Sequence, residues 1–385
     1  MNKKIINKKI LVYGINYYPE KVGIGKYTYE MCNWLAKNNY DIRIITANKY
    51  YPNFNLDKNN YGFEKIKGVE VIRCPIWVPK KLNGVKRIFH LLSFAITSFP
   101  PLIKNILWKP NLLFLVAPSI IFAPSIIFFK IFVKDKKFKT WIHIQDFEVD
   151  AAFKLGLLKG NLLKKLFLKI EHIILNNFNF ISTISNDMVQ KAKKKCPRKE
   201  NIILFPNWIN FERFSTNKTS DRALNKFTYY KRIFKNKIII MYSGSMNQKQ
   251  NFDLIVKCIQ YYKNSSKIVW IISGEGPSKK DFIEKVKKYK NVKVYSLQPD
   301  YFFHYWLKIA DIHLLPQKEG MTSSVLPSKL IDILASGKPV VACTDKNSEM
   351  GNHVSKAGIC VESNELSEFI RALDKLIINK NLREI

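Results

Sequence analysis

The sequence is poor in acidic residues, and it lacks the cysteine patterns of disulfide-rich or zinc-binding proteins. Its 385 residues include 64 Lys and Arg but only 30 Asp and Glu, which gives a formal charge of +34. The six cysteines form no C-x-x-C pair and have no His pair beside them. A zinc site or redox pair is therefore not expected, and a reducing compartment fits. No apolar segment with a cleavage site follows the basic first ten residues, so a secretory signal is not expected either.

Long apolar runs are also scarce. Residues 112–129 are the one stretch with enough uncharged residues to suggest a membrane span. Pro118, Pro124 and two serines interrupt it, which favours a buried strand followed by a helix that begins near Pro118. Upstream, residues 85–108 mix basic and apolar side chains. This pattern fits either an ordinary amphipathic helix broken at Pro100 and Pro101 or a helix that lies on an anionic membrane surface.

The composition is that of a folded protein with an anionic partner. With 47% apolar and 13% aromatic residues, the chain is neither a disordered basic tail nor a fibre. Nucleic acid, anionic lipid and a phosphorylated substrate would all suit the charge. Nucleic acid is disfavoured because no binding motif is present and the basic residues are spread along the chain.

Alternating strand and helix patterns predict an α/β fold of two doubly wound, Rossmann-like domains that face each other across a cleft. Strand-like apolar runs begin at Lys9 and recur through Phe180, and a second series begins at Ile238. Such runs are typical of parallel sheets covered on both faces. We place the domains at residues 1–205 and 206–385, and we expect residues 191–199 and 216–237 to be solvated connectors. Ligands in such folds bind beyond the carboxyl ends of the strands.

The loop after the first strand, residues 17–27, is rich in glycine. Gly23 and Gly25 would let the backbone approach a phosphate, and Lys26 would add positive potential. The loop is not G-x-G-x-x-G and no acidic residue stands where a ribose would need it, which disfavours a nicotinamide dehydrogenase. The alternative is a plain tight turn.

A second cluster follows the strand 140–144. His143 is placed to bind a sugar hydroxyl, and Asp146 to orient it or to accept a proton. The alternative is structural, with Asp146 opening the next helix as a cap.

In the second half, three loops after strands carry polar residues suited to a phosphorylated ligand. Gly244 and Ser245 form a tight turn, with Lys249 and Gln250 placed for a diphosphate, and Gly274 and Glu275 lie in a similar loop. A small polar run then leads into a helix whose free amides would face an anion. Its members are Gly320, Met321, Thr322, Ser323 and Ser324. On that helix we expect Lys329 to meet a phosphate and Asp332 to meet vicinal hydroxyls. For Lys329 the alternative is a solvated helix residue.

Taken in order, these loops resemble the GT-B, family 4 retaining glycosyltransferases, and within them the colanic-acid-type group of bacterial polysaccharide transferases. The resemblance covers nearly the whole chain and rests on seven segments: residues 10–28, 143–153, 205–210, 242–246, 273–277, 310–317 and 326–341.

The resemblance implies that the first domain binds the acceptor and the second binds a UDP- or GDP-sugar. Transfer would retain the anomeric configuration and need no cofactor and no essential metal. His143 would contact the transferred sugar, Gly23 and Gly25 would serve the acceptor side, and Asp332 would bind the ribose and Glu319 the hexose. The acceptor would be a lipid-linked saccharide or an oligosaccharide at the cytoplasmic, inner face of the membrane, with the anionic leaflet as a further partner.

The chain also departs from the family pattern. Ser324 occupies the first acidic position of the E-x7-E signature, and Ser245 and Gln250 occupy the usual Arg and Lys positions of the diphosphate clamp, so that Lys249 or Lys329 must substitute. The family's final return helices are expected to be shortened or missing. The leading prediction is a glycosyltransferase of surface polysaccharide biosynthesis, and the alternative is a non-catalytic GT-B scaffold with a decayed donor site.

Overall fold

The structure, a computed structural model, describes most of the chain. The residues described are 8–20, 23–50, 59–79, 84–117, 120–133, 135–154, 160–209, 220–318, 328–362 and 365–384. The chain divides into two compact units, Met1–Asn207 and Trp208–Ile385. This division lies two residues beyond the predicted join.

The first unit contains an eight-stranded sheet in the order β3-β4-β2-β1-β5-β6-β7-β8. Every neighbouring pair is parallel except β3 and β4. Its strands are β1 Lys9–Tyr13, β2 Asp41–Ala47, β3 Gly62–Ile66, β4 Val69–Cys74, β5 Leu112–Ala117, β6 Lys139–Ile144, β7 Phe180–Thr183 and β8 Ile202–Leu204. Its helices are α1 Gly23–Lys37, α2 Gly84–Lys104, α3 Pro124–Phe132, α4 Glu148–Lys154, α5 Asn161–Asn176 and α6 Asn186–Lys195.

Successive side chains of the central strand β1 contact helices on opposite faces of this sheet. Val12 packs in the cluster that contains Cys32 of α1. The next residue, Tyr13, points the other way, stacks on Phe94 of α2 and contacts Phe122 just before α3. Because successive side chains of a strand face opposite sides, α1 covers one face, and α2 and the α3 segment cover the other.

The second unit contains a six-stranded sheet in the order β11-β10-β9-β12-β13-β14, parallel throughout. Its strands are β9 Ile238–Ser243, β10 Ile268–Ser273, β11 Val292–Tyr295, β12 Ile312–Pro316, β13 Val340–Cys343 and β14 Gly358–Val361. Its helices are α7 Asp221–Ile233, α8 Phe252–Tyr261, α9 Lys279–Val286, α10 Asp300–Ile309, α11 Ser328–Ala335, α12 Glu349–Val354, α13 Leu366–Ile378 and α14 Lys380–Arg383. Each unit is thus a doubly wound α/β fold, as the sequence predicts.

Residues 112–129 form a strand and then a helix, as favoured, but the helix begins at Pro124 rather than near Pro118. Proline suits the first turn of a helix, where its missing N–H has no partner to bond. Within the described ranges, no helix is both long enough and apolar enough to cross a membrane.

The break at Pro100 and Pro101, which belonged to one of the two interpretations of residues 85–108, does not occur, because α2 runs through both prolines. Proline at position 101 leaves the carbonyl of Thr97 without its usual helical donor. The hydroxyl of Tyr61 donates to that carbonyl at 2.8 Å and takes the place of the missing N–H. The prediction of a break is therefore wrong, because a residue distant in the sequence supplies the missing hydrogen-bond donor.

Both predicted connectors contain helices instead. Within 191–199, α6 extends to Lys195 and its lysines form ion pairs: Lys191 with Asp150 at 2.8 Å, and Lys195 with Asp150 and Glu171. Within 216–237, α7 packs against α10. Its packed side carries Ala223, Phe227 and Tyr230, and Phe234, which follows the helix directly, continues it. The predicted solvation was wrong because the polar residues of α7 lie on one side only.

Candidate functional site

The loops that follow β9 and β10 pack directly on each other. A Cβ atom added to Gly274 would lie 2.1 Å from the carbonyl oxygen of Gly244, and one added to Gly276 would lie 2.3 Å from that of Met246. Gly276 also has a φ of +147°, which only glycine adopts easily. Hydrogen bonds join the loops, including one from the Met246 amide to the Glu275 carbonyl at 2.8 Å. Gly274, which was expected near a diphosphate, is therefore required by loop packing.

Lys329, in the first turn of α11, places its ammonium group beside the β9 loop. Its Nζ atom donates to Gln250 Oε1 at 2.8 Å and to the Tyr242 hydroxyl at 3.1 Å. The same atom lies 4.3 Å from the centre of the Tyr242 ring, a cation–π contact. Protein encloses the ammonium although part of the side chain is exposed, and this desolvation lowers the pKa of Lys329 to about 7.

The partners of Lys329 are neutral. Burial raises the pKa of Tyr242 far above its ordinary value, so its hydroxyl stays protonated. Gln250 is held by an antiparallel bridge to Gln317 at the end of β12. Among the described residues, no carboxylate forms an ion pair with Lys329. An ammonium group held by neutral groups beside the ends of β9 and β12 is suited to an anionic ligand.

Two further polar atoms in this region lack partners. Ser243 and Gln317, at the ends of β9 and β12, are buried. The Oγ atom of Ser243 and the Oε1 atom of Gln317 have no hydrogen-bond partner within the part of the chain described here. A buried polar atom without a partner is costly unless water or a ligand satisfies it. The carboxyl edge of the second sheet therefore has unused hydrogen-bonding capacity next to an enclosed cation.

The other predicted donor residues lie around this edge. Asp332 is half-buried, one turn after Lys329 on α11. Burial alone would raise the pKa of Glu275, but hydrogen bonds from Lys279 and Ser296 lower it below its ordinary value. Lys249 donates its amide to Asn247 Oδ1 at 3.0 Å, and its neighbour in the β9 loop, Ser245, accepts a hydrogen bond from the Asn247 side chain at 3.1 Å.

Six predicted positions around the acidic signature lie outside the described residues. They are Glu319, Gly320, Met321, Thr322, Ser323 and Ser324. The assignment of the hexose to Glu319 stays a prediction.

In the first unit, His143 lies inside β6 rather than after it, and it is buried. Its Nδ1 atom is 2.8 Å from Ser182 Oγ, and its Nε2 atom is 2.9 Å from the amide nitrogen of Gln145. Gln145 is in turn paired with the Asn207 side chain in two hydrogen bonds. The imidazole also packs 5.1 Å from the ring of Phe205.

This environment makes His143 a neutral group. Burial lowers the pKa of His143 to about 3, so the imidazole is uncharged at neutral pH. With an amide donating to Nε2, the proton is on Nδ1 and is donated to Ser182. Gln145 and Asn207 were missed from the sequence, because the order of residues along the chain does not show that 145 and 207 meet.

The remaining first-unit predictions fall at the carboxyl edge of the same sheet. Asp146 lies between β6 and α4, separated from the first residue of α4 by Phe147, and it is half-buried. Gly23 is the exposed first residue of α1, with a φ of +57°. Gly25 is buried, and a Cβ there would lie 2.9 Å from the carbonyl oxygen of Glu20. The Nζ atom of Lys26 lies 5.3 Å from the centre of the Tyr27 ring.

Glu20 is a buried acid at this edge that is not among the predicted site residues. Its carboxylate accepts hydrogen bonds from the Asn16 side chain at 2.7 Å and from the amide of Tyr50 at 3.3 Å. The acid follows the cis peptide bond between Tyr18 and Pro19. The sequence feature that could have indicated Glu20 is its position next to a proline in a glycine-rich loop.

Within the described ranges, no group of three His, Cys, Asp or Glu side chains is arranged to hold a metal ion. The expectation of a metal-independent reaction, which rests on the resemblance, stays a prediction.

Comparison with known proteins identifies the class. The family described as Glycosyl transferases group 1 matches residues 228–385, and the family described as Glycosyl transferase 4-like domain matches residues 22–208. The chain belongs to these glycosyltransferases, and it is therefore a glycosyltransferase enzyme. It is 35% identical, over 96% of its length and 92% of the relative's, to WcaI of Escherichia coli K12, a protein whose name assigns it to colanic acid biosynthesis as a glycosyl transferase.

Solved structures confirm the fold. Sucrose-phosphate synthase from Thermosynechococcus elongatus superposes with a TM-score of 0.73 at 12% identity, over 98% of this chain and 91% of the other. Alr3699/HepE of Anabaena, solved in complex with UDP-glucose, gives a TM-score of 0.65 at 11% identity, over 98% and 91%. The predicted two-domain GT-B fold and the family resemblance are thus confirmed.

Proposed function

We propose that the protein is a retaining glycosyltransferase of bacterial surface polysaccharide biosynthesis, which transfers a sugar from a UDP-sugar to a lipid-linked saccharide. The observation that carries the proposal is the ammonium of Lys329, enclosed by neutral groups at the carboxyl edge of the second sheet. The relation to WcaI supports the pathway. The UDP-glucose bound by the Anabaena protein supports the donor.

Lys329 would stabilise the leaving diphosphate. Negative charge grows on that group as the glycosidic bond breaks, and a cation already fixed in place stabilises it without reorganisation. Lys329 is in the first turn of α11, where the positive end of the helix dipole adds to the effect. It would replace the clamp residues that are missing at Ser245 and Gln250, and Gln250 would hold the lysine in position. Asp332, one turn later, would bind the ribose hydroxyls.

His143 would act in the first unit as a neutral hydrogen-bonding group. With a pKa near 3 it does not deliver a proton at neutral pH. Both ring nitrogens already bond to Ser182 and Gln145. We therefore assign His143 a positioning role: it would hold the neighbouring groups, and through them the transferred sugar, in place. It would not exchange protons.

The place of action would be the cytoplasmic face of the membrane, where a lipid-linked acceptor is found. The excess of 64 basic over 30 acidic residues suits an anionic leaflet and a polyprenyl diphosphate. The alternative of a non-catalytic scaffold has no supporting observation, since the matching families and WcaI are described as glycosyltransferases.

The test is a thermal-shift panel of UDP-, GDP- and ADP-sugars. A ligand that binds the folded state raises its apparent stability by mass action. A shift with UDP-sugars, abolished in Lys329→Met but kept in Lys257→Met, would support the proposal; Lys257 is an exposed lysine of α8 in the same unit. No shift with any nucleotide sugar would refute the donor assignment. The anomeric configuration of the product, read by NMR, would test retention.

A further inference from the structure

Helix α2 carries a row of exposed apolar side chains along the side that faces away from the sheet. Phe89 is 59% exposed and Ile96 is 71% exposed. The row recurs at intervals of three and four residues, the spacing of one helix face. Its members are Val85, Phe89, Leu92, Ile96 and Phe99.

The opposite side of α2 is already occupied by the core. Phe94 stacks on Tyr13, and Ser98 forms a hydrogen bond of 2.6 Å with the Tyr13 hydroxyl. Helix α2 therefore has one apolar side for the core and a second that the fold does not need. Only the second requires another explanation.

The exposed row continues onto α3. The ring of Phe99 on α2 meets the ring of Phe128 on α3 edge-on, with 6.3 Å between centroids. Phe128 is 55% exposed, Ile131 is 70% exposed, and Phe132 is also exposed. We call these eight residues of α2 and α3 the apolar face. A contiguous exposed apolar surface of this kind marks an interaction site rather than ordinary surface variation.

Helix α5 repeats the pattern next to α3. Lys130 of α3 donates to the carbonyl of Asn177, the residue that follows α5. The exposed apolar residues of α5 are Leu162, Leu163, Leu166, Ile170 and Ile173. Lys164, Lys165 and Lys169 lie among them and are exposed as well.

Helices α2 and α3 carry charge of one sign only. The sequence contains no Asp or Glu between Glu70 and Asp135, a stretch that includes all of α2 and α3. Lys86 and Lys104 are exposed on α2, and Lys109 is exposed shortly after it. Apolar side chains surrounded by cations are typical of helices that lie in the interface of an anionic bilayer.

We propose that the apolar face is the surface by which this protein docks onto a bilayer of anionic phospholipid, with α5 extending the contact. The proposal rests on the membrane location given under the proposed function and names the part of the chain responsible. The charge selects lipid over a second copy of this chain, because a two-fold interface would bring two copies of the same lysine-rich surface together. Anionic headgroups instead complement them, with each basic residue near the surface adding to the attraction.

The experiment is co-sedimentation of the full chain with vesicles of phosphatidylcholine alone or with 30% phosphatidylglycerol. The test variant is Phe89→Ser, Ile96→Ser and Phe128→Ser combined. The matched control is Trp34→Ser, because Trp34 is 63% exposed on α1, which covers the other face of the sheet. Thermal unfolding checks that each variant is folded.

We expect the wild type and Trp34→Ser to bind the anionic vesicles, with binding weakened by high salt, and the triple variant to bind at least about tenfold more weakly. Equal binding by the triple variant, or equal binding to both lipid compositions, would overturn the proposal. So would a wild-type dimer in analytical ultracentrifugation that the triple variant abolishes. A UDP-sugar thermal shift on the same samples separates the two proposals, since vesicle binding without donor binding would refute only the proposed function.

Discussion

The affinity for the donor should fall as pH rises through neutrality. In the free protein, burial lowers the pKa of Lys329 to about 7. A bound diphosphate would pair with the ammonium and restore its pKa to an ordinary value near 10.4. Binding above pH 7 must therefore take up a proton, and the protein that has lost this proton binds the donor less well.

The size of the effect follows from linkage between protonation and binding. With pKa values of about 7 free and about 10.4 bound, the dissociation constant should rise about 16-fold between pH 7.0 and 8.5. The diphosphate of a nucleotide sugar is a diester without an ionisation in this range, so the ligand contributes no slope. Tyr242, which contacts the ammonium, stays neutral because burial raises its pKa.

The assay is isothermal titration calorimetry with the UDP-sugar that gives the strongest thermal shift, at four pH values from 7.0 to 8.5. Repeating each titration in two buffers of different ionisation enthalpy measures the proton uptake directly. Lys329→Met should bind weakly with no pH dependence, and Lys257→Met should behave as the wild type. A dissociation constant that is flat from pH 7.0 to 8.5 in the wild type would refute the reasoning, as would an equal slope in Lys329→Met.

Three further predictions concern stability and the two units. Because the folded-state pKa of Lys329 lies below its unfolded value, the free energy of unfolding of the wild type should rise relative to that of Lys329→Met as pH increases from 7 towards 10, and urea titrations of the two proteins should show this difference in slope. Gly274→Ala places a Cβ 2.1 Å from a carbonyl oxygen and should cost about 2–4 kcal/mol in urea unfolding, whereas Gly62→Ala, with its nearest atom at 3.4 Å, should cost far less. His143→Ala should lower kcat with little change in donor affinity, while Asp332→Ala should weaken donor affinity in calorimetry.

Three results would contradict these predictions. Equal losses for the two glycine variants would mean that the β9 and β10 loops separate at little cost. Full activity in both His143→Ala and Asp332→Ala would show that the site assignment is wrong. An ionisation between pH 5 and 8 in the wild-type rate profile that His143→Ala removes would contradict a buried neutral imidazole.

Most of the parallel strands could be predicted from the sequence, because a strand that is buried on both faces of the sheet has a continuous run of apolar residues, such as Ile238–Ser243. The sequence was insufficient where one side of a polar helix is buried. In α7, lysine and threonine surround the contacts made by Phe227 and Tyr230, so the apolar spacing was obscured. The edge strand β3 was missed for a similar reason, since its residues are exposed rather than continuously apolar.

The loops that form the site could be predicted from the sequence, but the contacts between their side chains could not. The sequence placed Lys329 near a phosphate site, yet its contacts with Tyr242 and Gln250 depend on residues about eighty positions away. The same is true of Gln145 and Asn207, which meet only because β6 and the end of the first unit are neighbours in space. Side-chain environments that combine distant segments require the fold.

The interlocked β9 and β10 loops limit how this enzyme can be modified. Gly244 and Gly274 leave no room for a side chain between them, and the Met246 amide is bonded across to Glu275. A loop taken from another glycosyltransferase would therefore fit only if its partner loop came with it. Attempts to change donor preference by grafting should exchange residues 243–251 and 273–278 as one cassette, and single-loop grafts should yield misfolded protein rather than altered specificity.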